Sequence, residues 1–296
     1  MLTARGHGLQ WPDEQAARLT DVDSPFVSVV IPAYRAADHI GACLQGFSTG
    51  QGEANFELIV VDDCSGDRTA ARAEQGGARV VRHDKNRGAA AARNSGAEAA
   101  RGQVLLFVDS DVVPCPGLLP GVEAIFSDES ARAATGRYAP EPANRTTFAR
   151  YKALWTWYCW EKTGATSGES SHVQGALAAI RKDLFEQLGG FDERYRGGNV
   201  EDYEFSARLR AHGARILFDD RLQGRHHFPG FRTVARNYWD RARMWTRLRS
   251  ERGGFSSGQA NPWAAAAALC ALGSSAGHLL LPLCPPLLPL VVLADA

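Results

Sequence analysis

The feature that most constrains the fold is a series of short apolar runs, each followed by polar residues. The runs rich in valine, isoleucine and leucine lie at residues 27–31, 58–61 and 104–108, with a weaker one at 79–82. Segments with helical spacing of apolar residues lie between them, at 37–47 and 88–100. Strands that are apolar on both faces are typical of parallel sheets covered by helices. The pattern predicts an α/β fold with an open, mostly parallel sheet and right-handed crossovers.

The second half of the chain has a less regular pattern. It predicts an aromatic-rich helix at 148–160, a strand at 175–180, helices at 183–188 and 201–212, and a strand at 216–218. We expect about half of the aromatic side chains of the first of these helices to lie in the core, and the rest to line a groove.

Polar residues directly follow three of the predicted strands. They are Pro32-Ala33-Tyr34 after the first strand, Asp62-Asp63 after the second and Asp109-Ser110-Asp111 after the fourth. Open α/β sheets bind ligands beyond the carboxyl ends of their strands, so these residues predict a binding site. The chain has no GxGxxG after the first strand and no GxxxxGK[ST] segment, so it lacks the dinucleotide and P-loop motifs.

The acidic pairs each have a functional and a local explanation. Asp109 and Asp111 repel each other unless a cation lies between them, and Mg²⁺ and Mn²⁺ prefer such oxygen ligands. The alternative is a turn in which the carboxylates make local hydrogen bonds. At the second strand, a carboxylate of Asp62 or Asp63 can accept a hydrogen bond from a nucleobase, although capping of the next helix explains the nearby Ser65.

Three further groups of polar residues are candidates for the site. Arg93 stands among alanines, which favours an ion pair with a phosphate or an acidic neighbour. Glu201 and Asp202 begin a predicted helix, where they either stabilise the helix dipole or supply a general base. His226 and His227 form either part of a metal site or a surface pair.

Six segments resemble, in the same order, motifs of the family-2 inverting glycosyltransferases, whose GT-A fold is a Rossmann-like sheet flanked by helices. The segments read VSVVIPAYRAADHI, ELIVVDDCSGDRT, NRGAAAARNSGA, VLLFVDSDVVP, GALAAIRKDLFEQLGGFDERY and EDYEFSARLR. Together they span roughly residues 26–228. The resemblance implies a GT-A fold and an enzyme that uses a nucleotide-diphospho-sugar.

The resemblance also implies a donor site. Pro32, Ala33 and Tyr34 would line the nucleoside pocket, with Tyr34 near the base. Asp63 would accept a hydrogen bond from the base, most often uracil in this family, and Arg93 would lie close to the base and the diphosphate.

The same resemblance implies a metal site at the fourth strand. Asp109 and Ser110 would contact the donor near the ribose, and Asp111 would bind the divalent cation, Mg²⁺ or Mn²⁺, together with Asp109. His226 matches the histidine that sometimes completes this metal site, although the adjacent His227 leaves the register ambiguous.

Asp202 matches the catalytic base of the family, with Glu201 beside it on the acceptor side. The expected reaction is a metal-dependent, inverting transfer from a UDP-sugar to an acceptor hydroxyl, on a lipid-linked or cell-envelope glycan. Processive members of the family carry a QxxRW motif, whereas residues 240–245 read DRARMW, so we expect transfer of one or a few sugars. The alternatives are a nucleotidyltransferase and a non-catalytic sugar-nucleotide-binding protein.

Charge divides the chain into unlike parts, although its net charge is zero. Residues 1–224 have 25 basic and 30 acidic side chains, residues 225–252 have eight arginines and two acids, and residues 253–296 have Asp295 alone. The absence of a basic excess disfavours nucleic acid as a partner. An arginine- and tryptophan-containing segment before an apolar one is typical of a membrane interface, where the apolar segment would span the bilayer, re-enter it or lie on it. The alternative is a solvated basic helix followed by a helix that packs on the soluble domain.

We therefore expect four regions. They are a loose lead-in at 1–24, a catalytic domain at 25–229 with halves at 25–130 and 131–229, a basic amphipathic helix at 230–252 and an apolar, membrane-associated segment at 253–296. The six cysteines have no metal-ligand spacing, and no apolar run follows Met1. Both features favour a reducing compartment without a signal peptide, and so the cytoplasmic face of the cell membrane.

Overall fold

A computed structural model describes residues 25–162, 168–195, 200–234 and 236–237 of the chain. The predicted lead-in, the apolar segment at 253–296 and most of the predicted basic helix lie outside these ranges. By its internal contacts the chain divides into units at 1–251 and 252–296, and every described residue belongs to the first. Within the described ranges, no helix is both long enough and apolar enough to cross a bilayer.

Strands and helices alternate along the first half of the chain, and the second half is less regular. The strands are β1 (Val27–Ala33), β2 (Phe56–Asp62), β3 (Arg79–Arg82), β4 (Val104–Val108), β5 (Val112–Pro114), β6 (Ala133–Tyr138), β7 (Leu177–Arg181) and β8 (Ile216–His226). The helices are α1 (Ile40–Ser48), α2 (Thr69–Gln75), α3 (Ala89–Ala99), α4 (Leu118–Phe126), α5 (Thr147–Lys162), α6 (Lys182–Gln187) and α7 (Glu201–Ala211).

These strands form one mixed sheet in the order β3-β2-β1-β4-β7-β6-β8-β5. The strands β3, β2, β1 and β4 are mutually parallel, as the apolar runs predict. The second half adds antiparallel neighbours, because β7 runs antiparallel to β4 and β6, and β5 runs antiparallel to β8. Strand direction depends on the path of the connecting segments, which the residue pattern within a strand does not encode.

Helices cover both faces of the sheet. Successive side chains of a strand point to opposite faces, so each central strand contributes residues to two cores. On one face, Val29 and Ile31 of β1 pack in a core with residues of α1 and α4. On the other face, Val30 and Phe107 pack with residues of α3, α6 and α7. The α/β class and the two-sided burial are therefore as predicted, and the carboxyl ends of β1, β2 and β4 meet at one edge.

Candidate active site

The shared edge of β1 and β2 brings the predicted nucleoside-side residues together. Pro32 and Ala33 end β1, and Ala33 is in register with Asp62 at the end of β2. The backbone amide of Asp63 donates to the carbonyl of Ala33 at 2.9 Å. Tyr34 follows directly and is 47% exposed, so its ring is open to a ligand at this edge.

Asp63 is a buried anchor for the loop that leads into α3. Its Oδ1 lies 2.7 Å from His83 Nδ1 and accepts a hydrogen bond from the backbone amide of Arg87 at 2.8 Å. Its Oδ2 accepts from the amide of Gly88 at 2.8 Å, and Gly88 has the positive φ of 93° that favours glycine. A carboxylate offers about four acceptor positions, so these three contacts leave one position on Oδ2 unused among the described residues.

Asp62, the other member of the pair, makes a local turn. Its Oδ1 accepts hydrogen bonds from the amide and the hydroxyl of Ser65. Both aspartates therefore make hydrogen bonds within the protein. The sequence pattern alone does not predict these contacts.

Arg93 joins two parts of the chain that are distant in sequence. The residue is 3% exposed, and its Nη2 donates to Asp109 Oδ1 at 2.7 Å while its Nη1 donates to Glu201 Oε1 at 2.8 Å. Burial lowers the pKa of the guanidinium, but the charges of Asp109 and Glu201 outweigh burial and raise that pKa above its ordinary value. Of the two predicted partners for Arg93, a phosphate or an acidic neighbour, the structure shows acidic neighbours.

Glu201 and Asp202 start α7 but have different surroundings. The expected place of Glu201 on the acceptor side stays a prediction; in the structure it is 2% exposed and held by Arg93, in the interior. The reason is that a buried guanidinium needs an anionic partner. Asp202 is half-buried, and its Oδ2 accepts from the amide of Gly175 at 3.3 Å. A Cβ on Gly175 would lie 3.4 Å from the Arg93 guanidinium and 3.5 Å from Asp202 Cβ, so Gly175 lies beside both side chains.

Asp111 and His226 adjoin Asp109 at the turn after β4, where Ser110 is half-buried. His226, at the end of β8, places its Nε2 3.4 Å from Asp111 Oδ2. Burial raises the pKa of Asp109; Arg93 opposes this increase and the charge of Asp111 adds to it, so the pKa lies above its usual value. Burial also acts to raise the pKa of Asp111, but His226 outweighs it and the pKa lies below its usual range.

Two aromatic neighbours of this turn were not predicted from the sequence. The ring of His39 lies 4.0 Å from the ring of His227, whose backbone amide donates to the carbonyl of Asp111 at 2.8 Å. The ring of Tyr138, the last residue of β6, lies 4.5 Å from that of His226. Tyr138 comes close because it ends a strand of the same sheet, and His39 directly precedes α1. The structure places His226, and not His227, against the Asp111 carboxylate.

The donor chemistry of this turn fits a divalent cation. The carboxylates of Asp109 and Asp111 are oxygen ligands of the kind that Mn²⁺ and Mg²⁺ prefer, and the imidazole of His226 is a ligand for transition-metal ions. The buried Nδ1 of His226 has no hydrogen-bond partner among the described residues, and a cation would relieve the repulsion between the two carboxylates. Over those same residues, no group of three or more His, Cys, Asp or Glu side chains is already arranged as a metal site.

Comparison with known sequences identifies a family. The family model described as "Glycosyl transferase family 2" matches residues 28–189, and "Glycosyltransferase like family 2" matches 165–241. An uncharacterized glycosyltransferase of Haemophilus influenzae is 28% identical over 62% of this chain and 62% of its own length. Glycosyltransferase AglE of Haloferax volcanii is 27% identical over 68% and 67%, respectively. A putative teichuronic acid biosynthesis glycosyltransferase, TuaG of Bacillus subtilis, is 39% identical over 29% and 36%.

Solved structures share the fold. The mannosyltransferase PcManGT from Pyrobaculum calidifontis, in complex with GDP-Man and Mn²⁺, has a TM-score of 0.61 at 21% identity and covers 95% of this chain and 90% of that one. S. aureus TarS 1–349 in complex with UDP-GlcNAc has a TM-score of 0.53 at 20% identity, over 69% and 59%. The predicted GT-A fold is confirmed. The chain spans about two thirds of the length of the first curated relatives that it matches.

Proposed function

Because the chain belongs to glycosyltransferase family 2, we propose that it transfers a sugar from a nucleoside diphosphate sugar to an acceptor hydroxyl. The transfer depends on a divalent cation and inverts the anomeric carbon. UDP-sugars are the favoured donors, one or a few sugars are added, and the acceptor is a lipid-linked or cell-envelope glycan. Family membership disfavours the nucleotidyltransferase alternative.

The observation that carries this proposal is the buried ion network of Arg93, Asp109 and Glu201. It connects the end of β4, where the cation and diphosphate would bind, to the first turn of α7, which holds Asp202. A rigid connection of this kind keeps a base and a leaving-group site in fixed relation, as an in-line displacement requires.

On the donor side, Ala33, Tyr34 and the remaining acceptor position of Asp63 would receive the nucleoside. A carboxylate accepts from the ring N–H of uracil and also from that of guanine, so Asp63 alone does not select between them. Solved neighbours hold UDP-GlcNAc in one case and GDP-Man in another. The preference for UDP therefore rests on the family resemblance and requires a donor screen.

The residues Asp109, Asp111 and His226 would hold the cation, and Ser110 would contact the donor. The bound cation would neutralise charge that develops on the departing diphosphate. The Mn²⁺ in the related mannosyltransferase structure supports this assignment. Arg93 would keep the Asp109 carboxylate oriented in the presence and absence of the donor.

Asp202 would act as the general base. It would accept the proton of the acceptor hydroxyl as that oxygen bonds to the anomeric carbon and the bond to the diphosphate oxygen breaks. The sugar passes directly to the acceptor in one displacement, which inverts the configuration. The partial exposure of Asp202, beside the fully buried Glu201, suits a group that must meet an incoming acceptor.

Glu201 would be a positioning residue that acts through Arg93. A Glu201→Gln variant should raise the KM for the donor and cation more than it lowers kcat, because it loosens Asp109 and leaves Asp202 in place. The pH profile of kcat should keep its acidic limb, since the proposed base, Asp202, is unchanged in this variant. Loss of that limb would instead assign the base role to Glu201.

Membrane association at the cytoplasmic face is part of the proposal. The support is the sequence pattern of residues 225–296, with its arginines followed by an almost uncharged segment. A lipid-linked acceptor is consistent with such a location, and TuaG is named for a cell-envelope pathway.

A donor screen tests the proposed function. The full chain is incubated with UDP-, GDP- and dTDP-sugars, with Mn²⁺ or Mg²⁺, and with membrane lipid extract as acceptor. We expect labelled product from a UDP-sugar with either cation, and no product after chelation by EDTA. Failure with every sugar nucleotide and both cations would contradict the proposal.

A further inference from the structure

Helix α5 is apolar on its outward side as well as on the side that packs against the protein. Ala149, Ala153 and Trp160 are buried. The opposite face carries four large side chains that are about half or more exposed: Tyr151 (61%), Leu154 (56%), Trp155 (49%) and Tyr158 (48%). A surface helix ordinarily presents charged or polar residues on that side. The outer stripe, defined as these four residues, therefore needs an explanation other than core packing.

The apolar surface continues beyond α5. Phe231 is 67% exposed, and its ring lies 5.7 Å from the ring of Phe148 in an edge-to-face arrangement. An exposed aromatic surface that extends over two segments indicates an interaction site.

The two stretches of sequence that carry this surface have charged side chains of one sign, although Glu161 directly follows the first stretch. Residues 145–160 and 228–237 contain five basic side chains and no acidic ones. They are Arg145, Arg150, Lys152, Arg232 and Arg236. Glu161, in the last turn of α5, is paired with the buried Arg137. The surface is therefore complementary to a negatively charged partner.

We propose that the outer stripe of α5, together with Phe231, docks on the surface of an anionic lipid bilayer. Tryptophan and tyrosine rings are favoured at the level of the headgroups, and basic side chains beside them attract anionic lipids. A glycan-binding surface would combine its aromatic rings with carboxylates or amides, and residues 145–160 contain no Asp, Glu, Asn or Gln. The composition thus selects the lipid surface.

The inner face of α5 connects this surface to the candidate active site. Ala149 and Ala153 pack with Phe228 and Tyr138, and the Tyr138 ring lies 4.5 Å from His226. A bilayer against the outer stripe would thus be about one helix diameter, roughly 10 Å, and one layer of side chains from the proposed cation site. This consequence rests on the proposed function: the docked orientation presents the site to an acceptor anchored in the bilayer.

Vesicle sedimentation of the full chain tests the surface. The vesicles are phosphatidylcholine alone, or phosphatidylcholine with about one third phosphatidylglycerol. The variant Tyr151→Ser/Trp155→Ser/Tyr158→Ser should bind the anionic vesicles at least about tenfold more weakly than wild type, because interfacial binding scales with buried apolar area. The matched control Tyr151→Phe/Trp155→Phe/Tyr158→Phe keeps the apolar area and should stay within about twofold of wild type. Residues 253–296 are the same in all three proteins.

Thermal unfolding midpoints verify that the variants are folded. If the serine variant is unstable, Arg150→Gln/Lys152→Gln is used in its place. This variant should bind anionic vesicles more weakly than wild type does and neutral vesicles equally well. Equal binding of wild type and the folded serine variant would overturn the proposal, as would equal wild-type affinity for neutral and anionic vesicles. Self-association through this face without vesicle binding would also overturn it.

Donor binding is measured on the same preparations. A chain that binds anionic vesicles through α5 but binds no sugar nucleotide would leave the docking surface standing and contradict the proposed function alone. If instead the chain binds a sugar nucleotide and the serine substitutions leave vesicle binding unchanged, the proposed function stands and the docking surface is contradicted.

Discussion

Arg93 is the side chain on which the arrangement of the site depends most. Its guanidinium contacts Asp109, sixteen positions away in sequence, and Glu201, 108 positions away. Removing the shared guanidinium would leave both carboxylates without this cationic partner. The need of Arg93 for an anionic partner is predictable from its alanine-rich surroundings, whereas the identity of the distant partner depends on how α7 packs on α3.

We predict that Arg93→Met destabilises the protein by about 3–5 kcal/mol, because the buried Glu201 loses its cationic partner and still faces the charge of the half-buried Asp109. The control is Arg82→Met, which removes an exposed ion pair with Glu74 of similar length, 2.7 Å, and should cost less than about 1 kcal/mol. Urea unfolding measures both free energies. Equal losses in the two variants would show that the Arg93 network is not a buried ion network in solution.

The carboxylate of Asp63 shows why its role was only partly predictable. Its position after a buried strand indicates a binding edge, and that expectation follows from the α/β pattern. Its use as an acceptor for the amides of Arg87 and Gly88 depends on the path of a loop more than twenty residues further along. A local motif contains no information about that path.

Among the secondary-structure elements, the buried Glu57 ties β1 and β2 to the segment that precedes β4. Its Oε1 accepts from the hydroxyl of Ser28 at 2.7 Å and from the amide of Arg101 at 2.7 Å. Burial acts to raise the pKa of Glu57, but the hydrogen bonds from Ser28 and Arg101 outweigh it and lower that pKa. A group with a lowered folded-state pKa stabilises the protein above its unfolded-state pKa, and this contribution disappears as the pH falls through the folded-state value.

It follows that Ser28→Ala should lower the free energy of unfolding at neutral pH and have a smaller effect below the folded-state pKa of Glu57. The comparison uses urea unfolding at about pH 7 and at the lowest pH at which the protein stays folded. Ser127→Ala is the control, since the Ser127 hydroxyl donates to the backbone carbonyl of Ala124 at an exposed position and should show no such pH dependence. A Ser28→Ala effect of equal size at both pH values would refute the linkage to Glu57.

The packing of α3 on the sheet depends on a glycine. A Cβ at Gly96 would lie 2.3 Å from Val30 Cγ1 and 3.1 Å from Val61 Cγ2, which is closer than atoms can approach without movement. We expect Gly96→Ala to cost about 1–3 kcal/mol through overpacking. Gly41→Ala in α1 is the matched control, because nothing lies within 4 Å of its Cβ and a helical alanine should stabilise by about 0.5–1 kcal/mol. Thermal unfolding midpoints are measured for both variants. A shift of the midpoint of the same sign in each would contradict the close packing at Gly96.

The elements differ in how well the sequence predicts them. The bounds of β3 and β4 agree with the apolar runs at 79–82 and 104–108, since polar residues flank each run. Strand β8 extends to His226, far beyond the predicted 216–218. Its later residues are largely polar, and its pairing with β6 shifts register between Thr135 and Arg137. Pairing with both β5 and β6 extends this strand, and hydrophobic periodicity does not record such pairing.

For the molecule as a whole, the candidate site lies where the parallel first half of the sheet meets its mixed second half. The parallel strands of the first half supply Asp63 and Asp109, whereas α7 and β8 of the second half supply Asp202 and His226. The parallel half was predictable because its strands are buried on both faces. The position of β7 between β4 and β6, which joins the halves, was not.

Ligand binding at this junction should stabilise the whole fold. We predict that UDP with Mn²⁺ raises the thermal midpoint more than UDP with EDTA. A ligand at about one hundred times its Kd adds about 2.7 kcal/mol. In Asp111→Asn the Mn²⁺-dependent part of the increase should disappear while some of the UDP effect persists. An unchanged Mn²⁺ effect in that variant would exclude Asp111 as a ligand.

In the proposed reaction Asp202 is the base, and the Arg93 network holds it in place relative to the donor site. A comparison of wild type with Asp202→Asn, following transfer of labelled sugar and, separately, donor affinity, tests this role. We expect kcat to fall by about 10²–10⁴-fold, with donor Kd within about twofold, because the amide cannot accept the acceptor proton. Full turnover by Asp202→Asn would contradict this role.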